Sequence, residues 1–389
     1  MPGTLTATPL KRPRSDLKIP ASSETKYRFL NPKTSFVMNL YKYALLTTAA
    51  ACGLASAAET AYTDPVGYVT VSAAAGNGTT RAVSVLSIPM VYTETITGAA
   101  IGRITGVTAN SISNSSAGWS AGELSVPAFP YVIRITSGAA VGHTFLISTV
   151  TANTATTATI DAEEAAKVDL TTLGIVTGAS GDTYAIYTCD TLSGVFGTPA
   201  TTGIQGGTAT NGSGADIVQM SVAGSWRQYY YNTTSASWRR IGPGTLSNDV
   251  PIRPDSAVIY SRLAASVLNL TCIGTVPTTD RKALVNNSGV SFLSGSWPVG
   301  LTLATSAIQS TPGWVSTPTY SATTSDIVQM AVGGAWIKYY HTGTNWKRVG
   351  PNTISDTVAI PTGSAFIIQK AGASLGVTTL SQVLPYNLQ

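Results

Sequence analysis

The chain has 389 residues, of which 43% are hydrophobic and only 11% are charged, and its formal net charge is +5. The basic excess belongs to the N-terminus, because 15 of the 23 Lys and Arg residues but 16 of the 18 Asp and Glu residues follow residue 57. The rest of the chain is therefore nearly neutral and has no basic patch of the kind that nucleic acids require. Its length allows two or three domains.

The N-terminal segment has the features of a secretory signal. Lys42 supplies a positive charge, residues 44–54 are mostly apolar, and Ala55-Ser56-Ala57 matches the small-residue cleavage site. Met38 lies directly before this pattern. We therefore interpret residues 38–57 as a signal peptide.

We expect residues 1–37 to be either an over-called start, that is, a translation start assigned too far upstream, or a disordered leader. The apolar stretch of the signal is too short to span a bilayer, and no other apolar run approaches that length. We expect an exported protein, extracellular or on the bacterial cell surface, without a transmembrane segment in its mature chain.

Residues 58–190 predict an N-terminal β-sandwich or β-barrel. Short runs of β-branched and aromatic residues alternate with clusters of Gly, Asn and Ser, which is typical of these folds. Residues 162–167 and 191–196 predict the only short helices. The predicted strands are residues 66–71, 83–87, 102–106, 131–136, 144–148 and 183–187.

The second half of the chain contains an internal repeat. Asp216-Ile-Val-Gln-Met220 returns as Asp326-Ile-Val-Gln-Met330 about 110 residues later, a spacing that indicates tandem domains rather than a solenoid. We assign one β unit to residues 191–277 and a homologous unit to residues 302–389, joined by a connecting strand or linker at 278–301. The equivalent aromatic pairs are Trp226 and Trp336, Tyr229 and Tyr339, and Trp238 and Trp346.

Each unit is predicted to be a small three-stranded antiparallel meander with an additional strand. In the first unit, Val218 and Met220 alternate with polar residues, which indicates a half-buried strand. An aromatic strand follows at 226–231, a third strand at 237–241 and the additional strand at 256–260. The predicted fold class is therefore all-β.

Residue types that carry catalysis are scarce. His143 and His341 have no neighbours with metal-ligand spacing. The acidic cluster at 161–164 is interpreted as a solvated face, and Asp216 and Asp326 as turn or edge residues. We expect no enzyme, no catalytic residue, no cofactor and no metal.

Two cysteines, Cys189 and Cys272, follow the signal peptide. They either form one disulfide, as the oxidising environment of an exported protein permits, or remain buried free thiols. Neither has a cysteine at the equivalent position of the second unit.

The repeated aromatic and arginine residues are the candidate contact site. Flat aromatic faces stack on sugar rings, while Arg and Tyr bond the ring hydroxyls. The same residues also suit the core of a small meander or an assembly interface. The candidates are Trp226, Tyr229, Trp238, Arg240, Trp336, Tyr339, Trp346 and Arg348.

Three sequence segments resemble those of a known family. They are Thr63-Asp-Pro-Val-Gly-Tyr-Val-Thr70, Gly181-Asp-Thr-Tyr-Ala-Ile186 and Trp226-Arg-Gln-Tyr-Tyr-Tyr-Asn232. Over about residues 60–260 the chain resembles an uncharacterised, secreted, paralogous family of verrucomicrobial bacteria, with the second repeat appended. The resemblance implies export and lineage-specific expansion, and it brings no activity, ligand or site residue. Cys189 departs from the family pattern.

These observations predict a secreted, non-enzymatic structural protein, such as a subunit of a surface layer, a fibre or an extracellular matrix. Near-zero charge and unpaired strand edges favour self-association or association with other surface proteins. The alternative is a polysaccharide-binding or adhesive protein that uses the repeated Trp and Tyr residues.

Overall fold

The computed structural model describes residues 66–90, 96, 98–222, 225–332, 335–372 and 376–386. They belong to one compact unit that extends from Thr63 to Gln389. The predicted leader and signal peptide lie outside the described residues. Strands far outnumber helices, so the protein is all-β, as predicted.

The first repeat lobe comprises residues 66–90 and 190–277. A five-stranded sheet in the order β14-β13-β12-β16-β2 packs on the β1-β17 ribbon, and the core between them includes Val71, Trp238 and Tyr260. The predicted meander is confirmed as β12-β13-β14. The strands are β1 Val66–Ala73, β2 Ala82–Leu86, β11 Asp190–Thr191, β12 Ile217–Val222, β13 Ser225–Asn232, β14 Ser237–Arg240, β15 Pro251–Ile252, β16 Val258–Arg262 and β17 Leu268–Thr275; the helices are α2 Leu192–Phe196 and α3 Pro199–Thr202.

The inserted lobe, residues 98–189, leaves the first repeat lobe after β2 and returns to it at β11. Its five-stranded and three-stranded sheets enclose a separate core that includes Ile133, Phe145 and Tyr184. The strands are β3 Ile101–Arg103, β4 Gly106–Val107, β5 Ser111–Ser113, β6 Ser125–Val126, β7 Phe129–Ile135, β8 Thr144–Leu146, β9 Thr157–Thr159 and β10 Thr183–Thr188; the helices are α1 Ala162–Ala165 and a 3₁₀ turn at Leu170–Leu173.

The second repeat lobe, residues 278–386, has the same architecture as the first. Its sheet order is β19-β25-β21-β22-β23, with β18 paired to β26. Its core includes Val328 and Trp346. The strands are β18 Arg281–Asn286, β19 Gly289–Ser294, β20 Leu301–Thr302, β21 Ile327–Val332, β22 Ala335–His341, β23 Trp346–Arg348, β24 Ala359–Ile360, β25 Ala365–Lys370 and β26 Val377–Gln382; the 3₁₀ turns are Ala304–Ser306 and Ile308–Ser310.

The structural repeat is longer than the repeat that the sequence indicates. Strands β1 and β2 pair with β17 and β16 of the first lobe, and β18 and β19 pair with β26 and β25 of the second. The pairing therefore crosses the sequence-based boundaries at 190 and at 278–301. The segment predicted as a connecting strand or linker supplies the second lobe with the counterparts of β1 and β2.

The two repeat lobes meet through equivalent residues. Leu86 of the first lobe forms an antiparallel bridge with Ser364 of the second, and Leu293 of the second forms the same bridge with Ser256 of the first. Each contact is thus present twice with the lobes exchanged. This is the arrangement of an isologous interface in a two-fold symmetric dimer.

The hydrogen bonds at the centre of this contact also occur in pairs related by exchange of the two lobes. The hydroxyls of Ser87 and Ser294, which are equivalent positions, are hydrogen-bonded to each other. The Ser87 amide donates to the Gly363 carbonyl at 2.8 Å, and the Ser294 amide donates to the Asp255 carbonyl at 3.0 Å. The lobes are therefore related by a pseudo-two-fold axis close to the two serines.

A buried aspartate fixes the start of the central strand in the first repeat lobe. Asp216 accepts hydrogen bonds from the amides of Gln205 and Leu263 and from the Tyr260 hydroxyl, each at 2.7 Å. Nη1 of Arg262 completes the set at 2.6 Å. The sequence-based interpretation as a turn or edge residue places Asp216 correctly before a strand but misses its burial.

The second lobe repeats this arrangement. Asp326 accepts hydrogen bonds from the amides of Val315 and Ala371 at 2.8 and 2.7 Å, and it forms an ion pair with Nζ of Lys370. Each carboxylate therefore ties the strand that follows it to two distant backbone segments and to a buried cation.

Removing the Asp216 carboxylate should destabilise the protein strongly. We expect Asp216→Ala to lower the free energy of unfolding by about 3–5 kcal/mol, because Arg262 would be left buried without its counter-charge. Urea unfolding followed by fluorescence measures this change. Asp249 is exposed in the same lobe, so Asp249→Ala should change the value by less than about 0.5 kcal/mol. Equal losses in the two variants would contradict the assignment.

Candidate functional site

Half of the predicted contact residues lie in the repeat cores. Trp238 and Tyr229 belong to the core of the first repeat lobe, and Trp346 and Tyr339 belong to the core of the second. The indole Nε1 of Trp238 donates to the Gly197 carbonyl at 2.9 Å. These four side chains cannot reach a ligand, so their role is packing.

The other predicted residues are at the surface. Trp226 and Trp336 are 45% and 42% exposed, at equivalent positions on β13 and β22. Arg240 is half-buried and Arg348 is exposed. The structure therefore separates the aromatic pairs that the sequence treats as one group.

Trp226 differs from Trp336 in what it contacts. Its ring meets the Phe292 ring of the second repeat lobe edge-on, with centroids 4.4 Å apart and an interplanar angle of 73°. This contact packs the indole against the second repeat lobe. One part of the ring is packed, and the rest faces a cleft.

The cleft lies where the three lobes meet, and we call it the junction cleft. It has a volume of about 330 Å³. Trp226 and Phe292 form its aromatic wall, and the first, inserted and second lobes all contribute polar side chains. The lining residues include Trp226, Phe292, Ser256, Asn286, Ser291 and Glu163.

Arg253 joins the inserted lobe to the first repeat lobe beside this cleft. Its Nη2 lies 2.9 Å from Asp161 Oδ1 and 3.3 Å from Glu163 Oε2, and its Nε lies 3.5 Å from Glu164 Oε1. The acidic cluster, interpreted from the sequence as a solvated face, is therefore an inter-lobe contact. The position equivalent to Arg253 in the second lobe is Pro361, which cannot make this contact.

Burial raises the pKa of Glu164 to about 8. Its Oε2 accepts a hydrogen bond from the Leu146 amide at 2.7 Å. Arg253 opposes the increase, but its guanidinium is shared with Asp161 and Glu163, which lie closer to it. The charge of Arg253 is therefore insufficient to offset the loss of water around Glu164.

Neither histidine is placed for metal binding. His143 is buried and stacks on Phe145, with ring centroids 5.7 Å apart, and burial lowers its pKa to about 4. His341 lies within 3.0 Å of the Ser316 hydroxyl through Nδ1. Within the described ranges, no group of three or more His, Cys, Asp or Glu side chains could hold a metal ion.

Cys189 and Cys272 are buried free thiols. Burial raises the pKa of Cys272 to about 12 and that of Cys189 well above its ordinary value. Thiols that stay protonated at neutral pH are poor nucleophiles. Of the two alternatives that the sequence leaves open, the structure contains the pair of thiols.

The sequence did not single out Arg253, Asp255 or Phe292. A signal for the first two exists, because the repeat copies differ there: Pro361 and Gly363 occupy the equivalent positions. Phe292 lies outside the stretch in which the sequence repeat is recognisable.

Comparisons with protein families, curated proteins and solved structures find no match to this chain. In the part of the chain that the structure describes, no helix is long and apolar enough to cross a membrane.

Glu164 should make stability decrease with rising pH. Its pKa is about 8 in the folded protein and 4.5 without burial, so between these values the folded state holds a proton that the unfolded state has lost. The contribution of Glu164 to the free energy of unfolding is fully present below pH 4.5 and is lost as the pH rises through 8. Asp190, whose pKa burial raises to about 7, acts in the same direction at lower pH.

We therefore expect Glu164→Gln to remove most of the decrease in melting temperature between pH 7 and 8 and to be more stable than the parent at pH 8. Scanning calorimetry across this interval provides the measurement. Glu123→Gln in the same lobe serves as the matched control. An unchanged decrease in Glu164→Gln, or an equal effect of both variants, would disprove the role of Glu164.

Proposed function

We propose that this chain is a non-enzymatic polysaccharide-binding protein whose binding site is the junction cleft. The observation that carries the proposal is the position of Trp226, which is 45% exposed and lines the cleft. An indole face offers a flat apolar surface for the apolar face of a sugar ring. Phe292 holds the indole in place, which reduces the entropy lost on binding.

The polar lining suits sugar hydroxyls. Ser256, Ser291 and Asn286 supply hydroxyl and amide groups that both donate and accept hydrogen bonds. Glu163 and Asp255 add carboxyl groups to the same cleft. A cleft that combines an apolar wall with a few polar groups is the usual form of a small-molecule site.

The charges favour a neutral sugar chain over an anionic one. Glu163 and Asp255 line the cleft together with two cations, Arg253 and Lys167, while Glu164 stays largely protonated below pH 8. Both cations already form ion pairs with Glu163, at 3.3 Å and 2.9 Å respectively. Uronic acid or sulfate groups would therefore meet carboxylates without a free cation to bind them.

The same ion pairs favour binding without hydrolysis. A glycosidase needs one carboxyl group as acid and a second as base or nucleophile, on opposite sides of the scissile bond. Here Glu163 is engaged by Arg253 and Lys167, and Glu164 is buried against the Leu146 amide. Through Arg253, these carboxyl groups connect the inserted lobe to the first repeat lobe.

The outer strands of the repeat sheets give less support to edge-to-edge assembly. The outer edge of β14 is covered, because the Arg240 amide donates to Thr245 O and the Ser247 amide donates to Trp238 O. In the second lobe Ser355 makes the equivalent bond to Trp346 O on β23. Covered edges cannot pair with another chain, which favours the polysaccharide-binding function.

Replacing Trp226 should separate binding from folding. We expect Trp226→Ala to weaken binding to a soluble neutral polysaccharide by about two- to tenfold, since loss of an aromatic contact costs about 0.5–1.5 kcal/mol. Trp336→Ala is the matched control, because Trp336 has the same exposure and lies outside the cleft lining. Affinity electrophoresis in a panel of soluble polysaccharides measures both. Equal retention by the two variants on every polysaccharide would refute the assignment.

A structural role as a subunit of a surface layer or fibre is the second candidate, and one observation favours it. The outer face of the β1-β17 ribbon exposes Tyr68, Val66 and Ile273, which are 73%, 71% and 47% exposed. Tyr68 lies directly opposite Ile273. In the second lobe the equivalent ribbon is covered, because Leu284 packs on the inserted core. Exposed apolar patches of this kind often mark contacts with another molecule, here a second copy.

Immunogold electron microscopy of producing cells tests this second candidate. Label on regular fibres or on a lattice, lost in a Tyr68→Ser variant, would support the structural role. Diffuse label, or label found only in the medium, would contradict it and leave polysaccharide binding as the function.

A further inference from the structure

A second cavity lies between the inserted lobe and the first repeat lobe, and we call it the hairpin cavity. Its volume of about 390 Å³ is large enough for a small organic molecule. The β6-β7 hairpin of the inserted lobe forms one side, and β11 with the start of α2 forms the other. The lining includes Phe129, Pro130, Thr188, Asp190, Ser193 and Asp249.

Backbone hydrogen bonds hold both sides of the hairpin cavity in place. The Cys189 amide donates to the Pro130 carbonyl at 2.7 Å, which ties the hairpin to the segment that enters β11. Two amides of α2 donate to the carbonyls of Asn248 and Val250, at 3.0 and 2.9 Å. Asp249 is therefore held between two anchored residues, and its backbone has a fixed position beside the cavity.

The charged side chains that line the hairpin cavity are both carboxylates. Asp190 and Asp249 belong to its lining, which contains no Lys, Arg or His. No ion pair among the described residues includes either aspartate. Burial raises the pKa of Asp190 to about 7, as expected for a carboxyl group without a counter-charge. Asp190 is nevertheless partly exposed, so a ligand in the cavity can reach it.

The repeat shows that the fold does not require these two carboxylates. Leu301 occupies the position of Asp190 in the second repeat lobe, because each pairs with an equivalent isoleucine in the neighbouring strand. Thr357 occupies the position of Asp249, between two carbonyls that accept the equivalent hydrogen bonds. The second lobe thus forms the same strand pair and the same turn without a charge. Carboxyl groups that the fold does not need, in a cavity and with a shifted pKa, indicate a functional site.

Phe129 adds an apolar surface to the hairpin cavity. Its side chain is 59% exposed and lies opposite Val126 in the hairpin. The face of an aromatic ring attracts cations as well as apolar groups. Thr188, which also lines the cavity, has a hydroxyl group without a hydrogen-bond partner, and this group can donate or accept. The lining therefore combines negative charge, an aromatic ring and a polar group.

We propose that the hairpin cavity binds a small organic cation, namely a protonated primary amine attached to an apolar group. The ammonium group donates hydrogen bonds to the carboxylates of Asp190 and Asp249, and the apolar group packs on the Phe129 ring. The ligand supplies the counter-charge that Asp190 lacks among the described residues.

This site is independent of the polysaccharide site. The hairpin cavity and the junction cleft have no lining residue in common. Their aromatic walls also differ, because Phe129 belongs to the inserted lobe and Trp226 to the first repeat lobe. Loss of one site should therefore leave ligand binding at the other unchanged.

Isothermal titration of the full chain with benzylamine tests the proposal. The titration is done at pH 8, where Asp190, with a pKa of about 7, is mostly ionised. Benzyl alcohol is the control probe, because it has the same ring without the charge, and sodium chloride keeps the ionic strength equal. We expect one benzylamine site per chain, with an affinity about tenfold or more above that of benzyl alcohol.

Variants assign the binding to the hairpin cavity. Asp190→Asn should weaken benzylamine binding about tenfold and leave benzyl alcohol unaffected, because asparagine keeps the shape and loses the charge. This variant should fold, since burial favours the uncharged form at this position. Phe129→Ala should weaken the binding of both probes. Asp169→Asn removes an exposed carboxylate of the inserted lobe outside the cavity lining and should behave like the parent.

Four results would overturn the proposal. They are no saturable benzylamine site, equal affinities for benzylamine and benzyl alcohol, parent-like benzylamine binding in Asp190→Asn, or loss of the benzylamine site in Trp226→Ala. The last result would place the probe in the junction cleft. The comparison of the two probes on the parent protein decides the question even if Asp190→Asn fails to fold.

Discussion

The buried aspartate at the start of the central strand is the constraint on which each repeat lobe depends. Asp216 connects the beginning of β12 to the segment before it and to the end of β16, and Asp326 does the same for β21 and β25. A carboxylate that accepts two backbone amides and a cation fixes position as well as direction. Trp226 lies on β13, which pairs with the strand that Asp216 fixes. The position of the cleft wall therefore depends on the position of that strand.

The pseudo-symmetry of the repeat lobes is broken by the inserted lobe. Arg253 offers three carboxylates of the insert a partner, whereas Pro361 offers none. Trp226 lines the cleft at which the insert packs, whereas the equivalent Trp336 is not among the residues that line it. One tryptophan of the duplicated pair therefore lines a cleft, and the other is a surface residue outside it.

Local patterns in the sequence were sufficient for the fold class and for most strands. The alternation of Val218 and Met220 predicted β12, and the aromatic run predicted β13, because strand periodicity is a local property. The counterparts β1 and β18 share only a few small inward residues, such as Val71 and Val285, so their equivalence is visible only in the pairing. The predicted repeat therefore began too late in both copies.

The candidate site was less accessible to sequence reasoning. A tryptophan in an amphipathic strand can face either the core or the solvent. In the structure Trp238 is in the core and Trp226 is at the surface. Arg253 and Glu164 come from loops and a short helix about 90 residues apart, and no local period relates such positions. Their pairing depends on where the insert packs, which is decided by the whole fold.

The reciprocal contact across Ser87 and Ser294 also determines how the protein responds to dilution. Two separate subunits joined by the same contact would dissociate at sufficiently low concentration. Here both halves belong to one chain, so their association is intramolecular and independent of the amount of protein present. A cleft that draws its walls from both halves therefore persists in a single molecule at any dilution.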